Sequence, residues 1–256
     1  MKILALGDIT GTVTIRHLRE NLWRHRRALG VDFVVANGEN ASEIHGITAG
    51  DAQALLDCGV DLITTGNHVF RKRDIGELLD ISCSIIRPAN YPAACPGTGS
   101  VIRQVGGWRL LCMNVMGVVY LESLACPFET VEKILERERG NYDISLLDIH
   151  AEATSEKLAL ARYFDGRINI IFGTHTHVQT ADEQILPGGT GYITDLGMSG
   201  PVGGILGTAT EPVVARFTTK MPQRFSVAGG NIEIRGALFE LDPDTGRVIS
   251  VSRVRF

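Results

Sequence analysis

Short apolar runs recur along the chain, and several of them end in a polar loop. The clearest are residues 2–7, 33–36 and 61–65, which end at or lead into Gly7-Asp8, Asn37-Gly38-Glu39-Asn40 and Gly66-Asn67-His68. Apolar runs of this length are typical of buried strands, whereas helices usually need about 10–12 residues or more. The pattern therefore predicts short buried strands that present polar side chains where each strand ends.

Helical segments are predicted between these strands. One covers residues 15–29, and another follows Thr48, where Asp51 three positions on gives a variant of the capping box. Pro127 is placed to be the first residue of a helix that ends near Gly140.

The second half of the chain continues the alternation of strands and helices. Residues 100–105 and 108–115 are predicted to pair as a hairpin, and strand 143–149, helix 154–165 and strand 168–173 follow in order. This alternation in both halves predicts a layered α/β fold with helices outside the sheets, in a single domain over residues 1–256.

Composition limits the location and the partners. The chain of 256 residues carries a net charge of −4, so it has no overall field that attracts polyanions, and a phosphate ester would need local positive charge such as metal ions. Five cysteines without C-x-x-C spacing favour reduced thiols in the cytoplasm. The first apolar run is broken by Asp8, too early for a signal peptide, and no run reaches the roughly 18 apolar residues of a membrane helix. We expect a cytoplasmic protein with no membrane partner.

Chemically active side chains are concentrated at the predicted strand ends. They are Asp8, Glu39, Asn40, Asn67, His68, His150, His175 and His177. Ligands of α/β sheets bind at the carboxyl ends of the strands, so we expect these groups to meet at one edge.

Each of these residues also has a purely structural interpretation. Asp8 suits a turn or cap, and Asn67 suits a left-handed turn residue. If the Gly173–His177 segment is extended, His175 and His177 point to the same side, either as ligands or as two stacked surface histidines. With His150 and two carboxylates at equivalent strand ends, metal binding is the favoured interpretation.

The donor types indicate which metals are suitable. Carboxylate and amide oxygens mixed with imidazole nitrogens, without thiolate, suit manganese, iron or zinc. Seven or more ligands exceed the needs of one ion of four to six coordination. Two ions that share a bridging carboxylate are therefore predicted, an arrangement that suits in-line attack at phosphorus.

Other candidate sites are weaker. The segment 7–12 lacks the Lys-Ser/Thr pair of a P-loop. The helix over residues 15–29 carries five arginines and two histidines: Arg16, Arg19, Arg24, Arg26, Arg27, His17 and His25. The favoured interpretation is a solvent-exposed face, and RNA binding is the alternative. His45 lies near the predicted metal loop, and the sequence does not decide whether it has a role at the metal or is only a loop residue.

Four motifs resemble those of the calcineurin-like metallophosphoesterases. They are Gly7-Asp8, Asn37-Gly38-Glu39-Asn40, Gly66-Asn67-His68 and Gly173-Thr174-His175-Thr176-His177. Longer strings narrow the resemblance to the YmdB-type bacterial 2′,3′-cyclic-nucleotide phosphodiesterases; they cover residues 87–92, 148–157, 175–183, 193–195 and 197–201. The resemblance covers essentially the whole chain.

The resemblance implies a sandwich of two mixed β-sheets flanked by helices and a site with two metal ions, iron or manganese. It implies that Asp8, Glu39, Asn40 and His177 hold one ion. It implies that Glu39, Asn67, His150 and His175 hold the other, with Glu39 as the bridge. His68 would be the proton donor.

The sequence also departs from the resembled pattern. Thr10 stands where the wider superfamily often has a histidine, and further differences fall at Thr14, in the loop 42–45 that includes His45, at Arg71, at Val118 and at Cys126. The implied metal ligands are all present, so we expect the differences to affect substrate contacts and loop geometry.

The predicted function is hydrolysis of 2′,3′-cyclic nucleotides or similar small phosphodiesters by a hydroxide that bridges two ions, with His68 protonating the leaving oxygen. One alternative is a phosphomonoesterase or nucleotidase. Another is a metal-stabilised regulatory or RNA-binding scaffold with little turnover. A homo-oligomer is compatible with the sequence.

Overall fold

The structure is a computed structural model, and it describes residues 1–43 and 45–256. Ile44, in the loop 42–45 that differs from the resembled subfamily, lies outside the described residues. The strands in chain order are β1 (Lys2–Leu6), β2 (Asp8–Ile9), β3 (Phe33–Asn37), β4 (Leu62–Thr64), β5 (Ser100–Val105), β6 (Trp108–Met116), β7 (Ile144–His150), β8 (Ile170–Thr174), β9 (Gln184–Ile185), β10 (Gly191–Ile193), β11 (Met198–Pro201), β12 (Ile232–Glu233), β13 (Arg235–Leu241) and β14 (Val248–Arg255).

Six α-helices and one short 3-10 helix complete the described elements. The α-helices are α1 (Thr12–Leu29), α2 (Ala49–Asp57), α3 (Ile75–Ile81), α4 (Pro127–Arg137), α5 (Thr154–Tyr163) and α6 (Thr210–Thr219), and the 3-10 helix is Val69–Arg71. None of the helices in the described part of the chain combines the length and apolar character needed to cross a membrane.

Two large mixed sheets and one small sheet organise these strands. The first large sheet has the order β14-β13-β1-β3-β4, and the second has the order β5-β6-β7-β8-β10-β9. In the first, β1, β3 and β4 are parallel, while β13 runs antiparallel to β1 and β14. In the second, β6, β7, β8 and β10 are parallel, and β5 and β9 run antiparallel to their neighbours. A third sheet joins β12, β11 and β2.

The buried apolar residues form three core clusters, because successive side chains of each strand face opposite sides of its sheet. Ile3 and Ala5 of β1 face Leu146 of β7 and Ile170 of β8 in a core between the two large sheets. The other face of β1 packs against α1 and α2, and the outer face of the second sheet packs against α4 and α5. Successive side chains of a strand point to opposite faces, so each buried strand serves two cores. The predicted layered α/β fold with outer helices is confirmed.

Local signals in the sequence account for most element boundaries. Thr48 caps α2, because its Oγ1 accepts from the backbone N–H of Asp51 over 3.1 Å. The hairpin of β5 and β6 pairs in register from Ser100↔Met113 to Val105↔Trp108, as predicted. Three helix limits differ from the prediction: α1 begins at Thr12 rather than at residue 15, α4 ends at Arg137 before the loop that contains Gly140, and α5 ends at Tyr163 rather than at residue 165.

The core between the sheets changes from apolar to polar at the carboxyl ends of its strands. On this inner face Val35 is followed by Asn37, Leu62 by Thr64, Leu146 by Asp148 and His150, and Phe172 by Thr174. All of these polar residues are buried. The two sheets therefore enclose a buried polar region at one edge, and the loops with the predicted site residues begin there.

Candidate metal centre

The predicted site residues come from both large sheets and meet at this edge. Glu39 and Asn40 follow β3, and Asn67 and His68 follow β4. His150 ends β7, His175 and His177 follow β8, and Asp8 begins β2 directly after β1. The expectation that these eight residues lie together is met by their contacts.

Glu39 lies at the centre of the cluster and is 1% exposed. Its Oε1 accepts from Asn40 Nδ2 over 3.1 Å and lies 3.3 Å from both His150 Nε2 and His68 Nδ1. Its Oε2 accepts from the backbone N–H of His68 over 3.0 Å. One carboxylate thus contacts residues from β3, β4 and β7, which is the position that a bridging ligand requires.

Asp8, Asn40 and His177 form one side of the cluster. His177 Nε2 lies 3.3 Å from Asn40 Nδ2 and 3.8 Å from Asp8 Oδ1. The other ring nitrogen, Nδ1, lies 3.2 Å from the carbonyl oxygen of Leu206 and can donate to it. A proton held on Nδ1 leaves the Nε2 lone pair directed at Asp8 and Asn40, which is the tautomer that a metal ligand needs.

Asn67, His150 and His175 form the other side. His150 Nε2 lies 3.0 Å from Asn67 Oδ1 and 3.1 Å from His175 Nδ1. Ligand atoms of Glu39, His150 and His175 all lie within 4.8 Å of one another. Glu152 Oε2 lies 3.0 Å from His175 Nε2 and can hold the proton there, so that Nδ1 faces the cluster.

The charges of the cluster perturb its pKa values strongly. Burial raises the pKa of Asp8 above its usual range. Burial also opposes ionisation of Glu39, but the charges and hydrogen bonds of His150 and His68 outweigh it and hold the pKa of Glu39 well below its usual range. Burial lowers the pKa of His150, but Glu39 reverses this and raises it to about 9. Burial, followed by the charge of His150, lowers the pKa of His175 to about 3.

These residues fit a bound cation, because the hydrogen bonds within the cluster leave one buried carboxylate oxygen unsatisfied. Asp8 Oδ1 is buried and has no hydrogen-bond partner in the described part of the chain, since His177 Nε2 at 3.8 Å is too distant. Buried polar atoms almost always have a partner, so an orphaned carboxylate oxygen indicates a ligand. The donors around it are carboxylate and amide oxygens and imidazole nitrogens, which suit manganese, iron or zinc.

A second buried cluster, centred on Asp148, lies behind His150. Asp148 accepts from Thr64 Oγ1 over 2.5 Å, from Thr174 Oγ1 over 2.8 Å and from Asn37 Nδ2 over 3.2 Å. Thr174 Oγ1 also lies 2.9 Å from His150 Nδ1. Burial raises the pKa of Asp148 to about 6. The cluster joins the two sheets and fixes the ring of His150 with Nε2 toward Glu39.

The backbone of the histidine loop corrects one prediction. His175 and His177 have φ values of 99° and 66°, so the segment after β8 is not extended, and alternation along a strand does not bring the two rings together. They reach the cluster because the chain turns sharply at each histidine. A left-handed conformation at a non-glycine residue costs about 1–3 kcal/mol and persists only where its surroundings enforce it.

The structural interpretations of Asp8 and Asn67 do not match their surroundings. Asp8 is fully buried in β2, pairs with Met198 of β11 and accepts from the backbone N–H of His175 over 3.1 Å. Asn67 is absent from the residues with positive φ, so it is not a left-handed turn residue. Gly66 beside it has no room for a side chain, because a Cβ there would overlap His150 and the carboxylate of Glu39.

Two of the departures from the resembled pattern border the cluster. The ring of His45 packs against that of His68 with centroids 4.1 Å apart and a tilt of 33°, and His45 Nδ1 lies 3.3 Å from Asn40 Oδ1. Arg71 is exposed at the end of the 3-10 helix that follows His68. The prediction that these two residues contact a substrate rather than support the ligands stays a prediction.

The remaining departures lie in the supporting structure. Thr14 Oγ1 donates to the carbonyl oxygen of Thr10 over 2.5 Å, and both residues are buried at the start of α1. Val118 N–H donates to Glu156 Oε1 over 2.9 Å, and Cys126 is exposed before α4. These contacts affect loop geometry and involve none of the proposed ligands.

The basic face of α1 is mostly solvent-exposed, as the favoured interpretation predicts. Its exposed arginines are Arg16, Arg19, Arg24 and Arg27. Arg26 is an exception, because it forms an ion pair with Asp61 at 2.9 Å and donates to the carbonyl oxygen of Gly59. His25 stacks on Phe256 with centroids 3.9 Å apart, and His17 is half-buried. Two members of the predicted surface set therefore serve the fold instead.

Several supporting residues were not singled out as site residues from the sequence. Asp148, Thr174 and Glu152 orient proposed ligands, and Lys157 forms a buried ion pair with Asp195. For Asp148 a usable signal was present, since an acidic residue on the inner face of an otherwise apolar strand must have partners. Glu152 and the Lys157–Asp195 pair depend on contacts between distant segments and gave no such signal.

The two sheets flanked by helices, with a carboxylate, amide and imidazole cluster at their edge, define a protein of the metallophosphoesterase type. Residues 4–254 match the family described as YmdB-like protein, and the chain belongs to that family. The resemblance noted in the sequence is thereby confirmed, as is the predicted enzyme class of a phosphoesterase hydrolase.

Individual relatives agree with this assignment. The chain is 39% identical to a 2′,3′-cyclic-nucleotide 2′-phosphodiesterase of Bacillus subtilis (strain 168) over 254 residues, which cover 99% of this chain and 96% of the relative. It resembles the crystal structure of a hypothetical protein from Thermus thermophilus with a TM-score of 0.94, 38% identity and coverage of 100% and 99%. A novel phosphatase of Mycoplasma pneumoniae gives a TM-score of 0.93, 31% identity and coverage of 100% and 93%.

Proposed function

We propose that this protein is a phosphodiesterase with two metal ions that hydrolyses 2′,3′-cyclic nucleotides or similar small phosphodiesters. The observation that carries the proposal is the buried carboxylate of Glu39 between two sets of ligand-type side chains, together with the orphaned Oδ1 of Asp8. The name of the Bacillus subtilis relative supports the substrate class.

Two overlapping sets of residues would hold the ions. Asp8, Glu39, Asn40 and His177 form one set, and Glu39, Asn67, His150 and His175 form the other. Iron or manganese suits these donors best, with zinc also compatible. When bound, such ions supply Lewis acidity to the phosphoryl oxygens and lower the pKa of water toward about 7, so that a nucleophile is available at neutral pH.

The protein's own residues orient the ligands and move the leaving-group proton. Leu206 O, Glu152 and the Thr174–Asp148 pair each fix one ligand imidazole in a single tautomer. His68 is 17% exposed at its side chain and stands beside Glu39, so it can meet a substrate at the open side of the cluster. We assign it the protonation of the departing ribose oxygen, which needs a proton because an alkoxide is a poor leaving group.

A phosphomonoesterase is the second candidate, because the similar Mycoplasma pneumoniae structure is described as a phosphatase. The cluster itself offers the same chemistry to either ester. The two candidates differ in whether a second esterified oxygen is accommodated, and the substrate comparison below separates them.

The test is a metal-reconstituted activity screen. The metal-stripped protein is loaded separately with Mn²⁺, Fe²⁺ or Zn²⁺ and assayed with 2′,3′-cyclic nucleotides, bis-p-nitrophenyl phosphate and p-nitrophenyl phosphate. We expect hydrolysis of the two diesters with manganese or iron and little hydrolysis of the monoester. Preference for the monoester would establish the second candidate. Negligible hydrolysis with every metal, together with tight RNA binding, would establish a scaffold instead.

The proposal also includes a cytoplasmic location. The five cysteines are free, and two of them, Cys58 and Cys112, are buried in the cores. Thiols remain reduced in the cytosol, where a disulfide framework is not needed for stability. Fractionation of cells that produce the protein would test the location, and recovery outside the cytoplasmic fraction would contradict it.

A further inference from the structure

A buried ion pair lies behind the histidine loop and takes no part in the proposed chemistry. Lys157 and Asp195 are each 1% exposed at the side chain, and Lys157 Nζ donates to Asp195 Oδ2 over 2.7 Å. Removing two charges from water is costly, and their attraction offsets that cost only when further hydrogen bonds complete the arrangement. Stability alone is therefore a weak reason for such a pair.

Asp195 connects the histidine loop after β8 to the turn that precedes β11. Its Oδ2 accepts from the backbone N–H of Thr176 over 3.2 Å and from Thr176 Oγ1 over 2.8 Å. Its Oδ1 accepts from the backbone N–H of Gly197 over 2.8 Å. With Lys157 as the fourth donor, one carboxylate accepts four hydrogen bonds and links residues 176 and 197.

Thr176 is the residue between the two left-handed histidines. Fixing its N–H and its hydroxyl fixes the peptide units on either side, which set the directions of the rings of His175 and His177. The same region is held from outside by two further bonds, from His175 N–H to Asp8 Oδ2 and from Met198 N–H to the carbonyl oxygen of His177. Conformations of this kind persist only when several contacts enforce them.

Lys157 reaches Asp195 along a path that admits no other side chain. Its stem passes Gly173 of β8, where a Cβ would overlap both the Lys157 stem and the carbonyl oxygen of Thr194. Lys157 itself lies in the first half of α5, seven positions after His150 in the sequence. The helix that follows one proposed ligand thus supports the loop that carries two others.

We propose that Lys157 and Asp195 are positioning residues that act through Thr176 to hold His175 and His177 in their metal-binding orientation. The inference rests on the proposed role of the two histidines as ligands. It goes beyond that role because it assigns the orientation of both rings to a charge pair that touches neither ring.

Two threonine variants of the full chain test the inference without removing a charge. Thr176→Val deletes the hydroxyl bond to Asp195. Thr194→Val is the matched control, because Thr194 N–H and Oγ1 donate to the carboxylate of Asp182 over 3.1 and 2.5 Å in the same way. The control removes a hydroxyl of the same type next to Asp195 while leaving the contact to Thr176 intact.

Amide hydrogen exchange of the metal-stripped proteins gives the first readout. We expect faster exchange at residues 176 and 198 in Thr176→Val and unchanged exchange there in Thr194→Val. Titration with Co²⁺ against a chromogenic chelator gives the second. We expect cobalt affinity to fall about 10–100-fold in Thr176→Val, with an altered visible spectrum of the bound ion, because outer hydrogen-bond partners of ligands usually contribute that much. Thr194→Val should match the wild type.

The double variant K157M/D195N distinguishes two effects, the positioning of Thr176 by Asp195 and the burial of the two charges. It removes both charges at similar volume, which buried pairs usually tolerate. The amide side chain introduced at position 195 has one acceptor oxygen, so it can satisfy Thr176 or Gly197 but not both. We expect a folded protein with a melting temperature near that of the wild type and cobalt affinity as low as in Thr176→Val.

Three results would overturn the inference. They are unchanged exchange at residues 176 and 198 in Thr176→Val, equal effects of the two threonine variants, and wild-type cobalt affinity in the double variant. A wild-type protein that binds no cobalt would instead overturn the ligand assignment under the proposed function, and the inference would fall with it. The exchange comparison distinguishes the two failures because it uses no metal.

Discussion

Two buried polar clusters lie one behind the other at the strand ends, and they differ in how completely their hydrogen bonds are satisfied. In the inner cluster both carboxylate oxygens of Asp148 accept from side chains of the two sheets. In the outer cluster Asp8 Oδ1 has no partner among the described residues, and Glu39 lies beside the imidazoles of His150 and His68. The inner cluster is complete as protein alone. We propose that cations complete the outer cluster, so that the inner cluster supports the site and the outer cluster carries the chemistry.

The largest expected effect is at the shared ligand. Glu39→Ala should remove both ions, and phosphodiester hydrolysis should fall by more than the roughly 10²–10³-fold that loss of a single preorganised electrostatic contact costs. Elemental analysis and activity of the purified variant measure this. Glu152→Gln is the matched control, because Glu152 lies at the outer nitrogen of His175 and the amide oxygen of glutamine can still accept a hydrogen bond there, so both ions should stay bound. If Glu39→Ala kept two ions per chain and normal activity, Glu39 would not be the shared ligand, and the proposed difference between the two clusters would be wrong.

Asn67→Ala probes one half of the outer cluster. Asn67 Oδ1 lies 3.0 Å from His150 Nε2, and Asn67 belongs to one proposed ligand set, so its loss should weaken mainly the ion held by Asn67, His150 and His175. Elemental analysis at limiting metal should then give close to one ion per chain, whereas Glu39→Ala gives none. Equal loss of both ions from Asn67→Ala would contradict the assignment of two separate ligand sets.

His68→Ala should have the next largest effect, and it should depend on the leaving group. General acid catalysis contributes about 10²–10⁴-fold, mostly when the departing oxygen is strongly basic. We expect a much larger rate loss with a 2′,3′-cyclic nucleotide than with bis-p-nitrophenyl phosphate, while metal content stays at two per chain. Equal rate losses with metal retained would point to an electrostatic role instead, and loss of metal would make His68 part of the ligand set.

The inner cluster should show a smaller effect on the metal. Asp148→Asn leaves one acceptor oxygen for three donors, which loosens Thr174 and the ring of His150. We expect metal affinity about 10–100-fold weaker with the stoichiometry unchanged, as for other outer partners of metal ligands. Chelator competition measures this affinity. A loss of both ions, as in Glu39→Ala, would show that the two clusters act as one.

The smallest effects are expected at the entrance. His45→Ala and Arg71→Ala remove partly or fully exposed groups, and exposed charges contribute up to about 1 kcal/mol, so KM or nucleotide preference should change about two- to fivefold. Metal content should not change. Steady-state kinetics with several cyclic nucleotides, together with elemental analysis, provide the measurements. Loss of metal from His45→Ala would place the His45–His68 pair inside the outer cluster.

The sequence predicted the fold class because short apolar runs and the helical segments between them are local signals. Val35 and Asn37, or Leu146 and Asp148, share a face by the period of two, so the change from apolar to polar at the strand ends is visible before folding. Once parallel strands are assumed, the polar ends must meet at one edge. The grouping of Asp8, Glu39 and His150 follows from these two steps.

Features that depend on contacts between distant segments could not be predicted in this way. The small sheet pairs Asp8 with Met198, 190 positions later, and gives Asp8 its buried position. The prediction that His175 and His177 point to the same side assumed an extended segment, whereas both residues are left-handed. Their conformation is imposed by Asp8, Asp195 and Met198, each remote in sequence or across the loop.

We propose that two cations sharing Glu39 complete the outer cluster. Anomalous diffraction from crystals of the wild-type protein loaded with manganese, collected on both sides of the manganese absorption edge, tests this proposal most directly. We expect two anomalous peaks in each chain, one beside Asp8, Asn40 and His177 and the other beside Asn67, His150 and His175, with Glu39 between them. A single peak, or no peak near Glu39, would contradict the proposal.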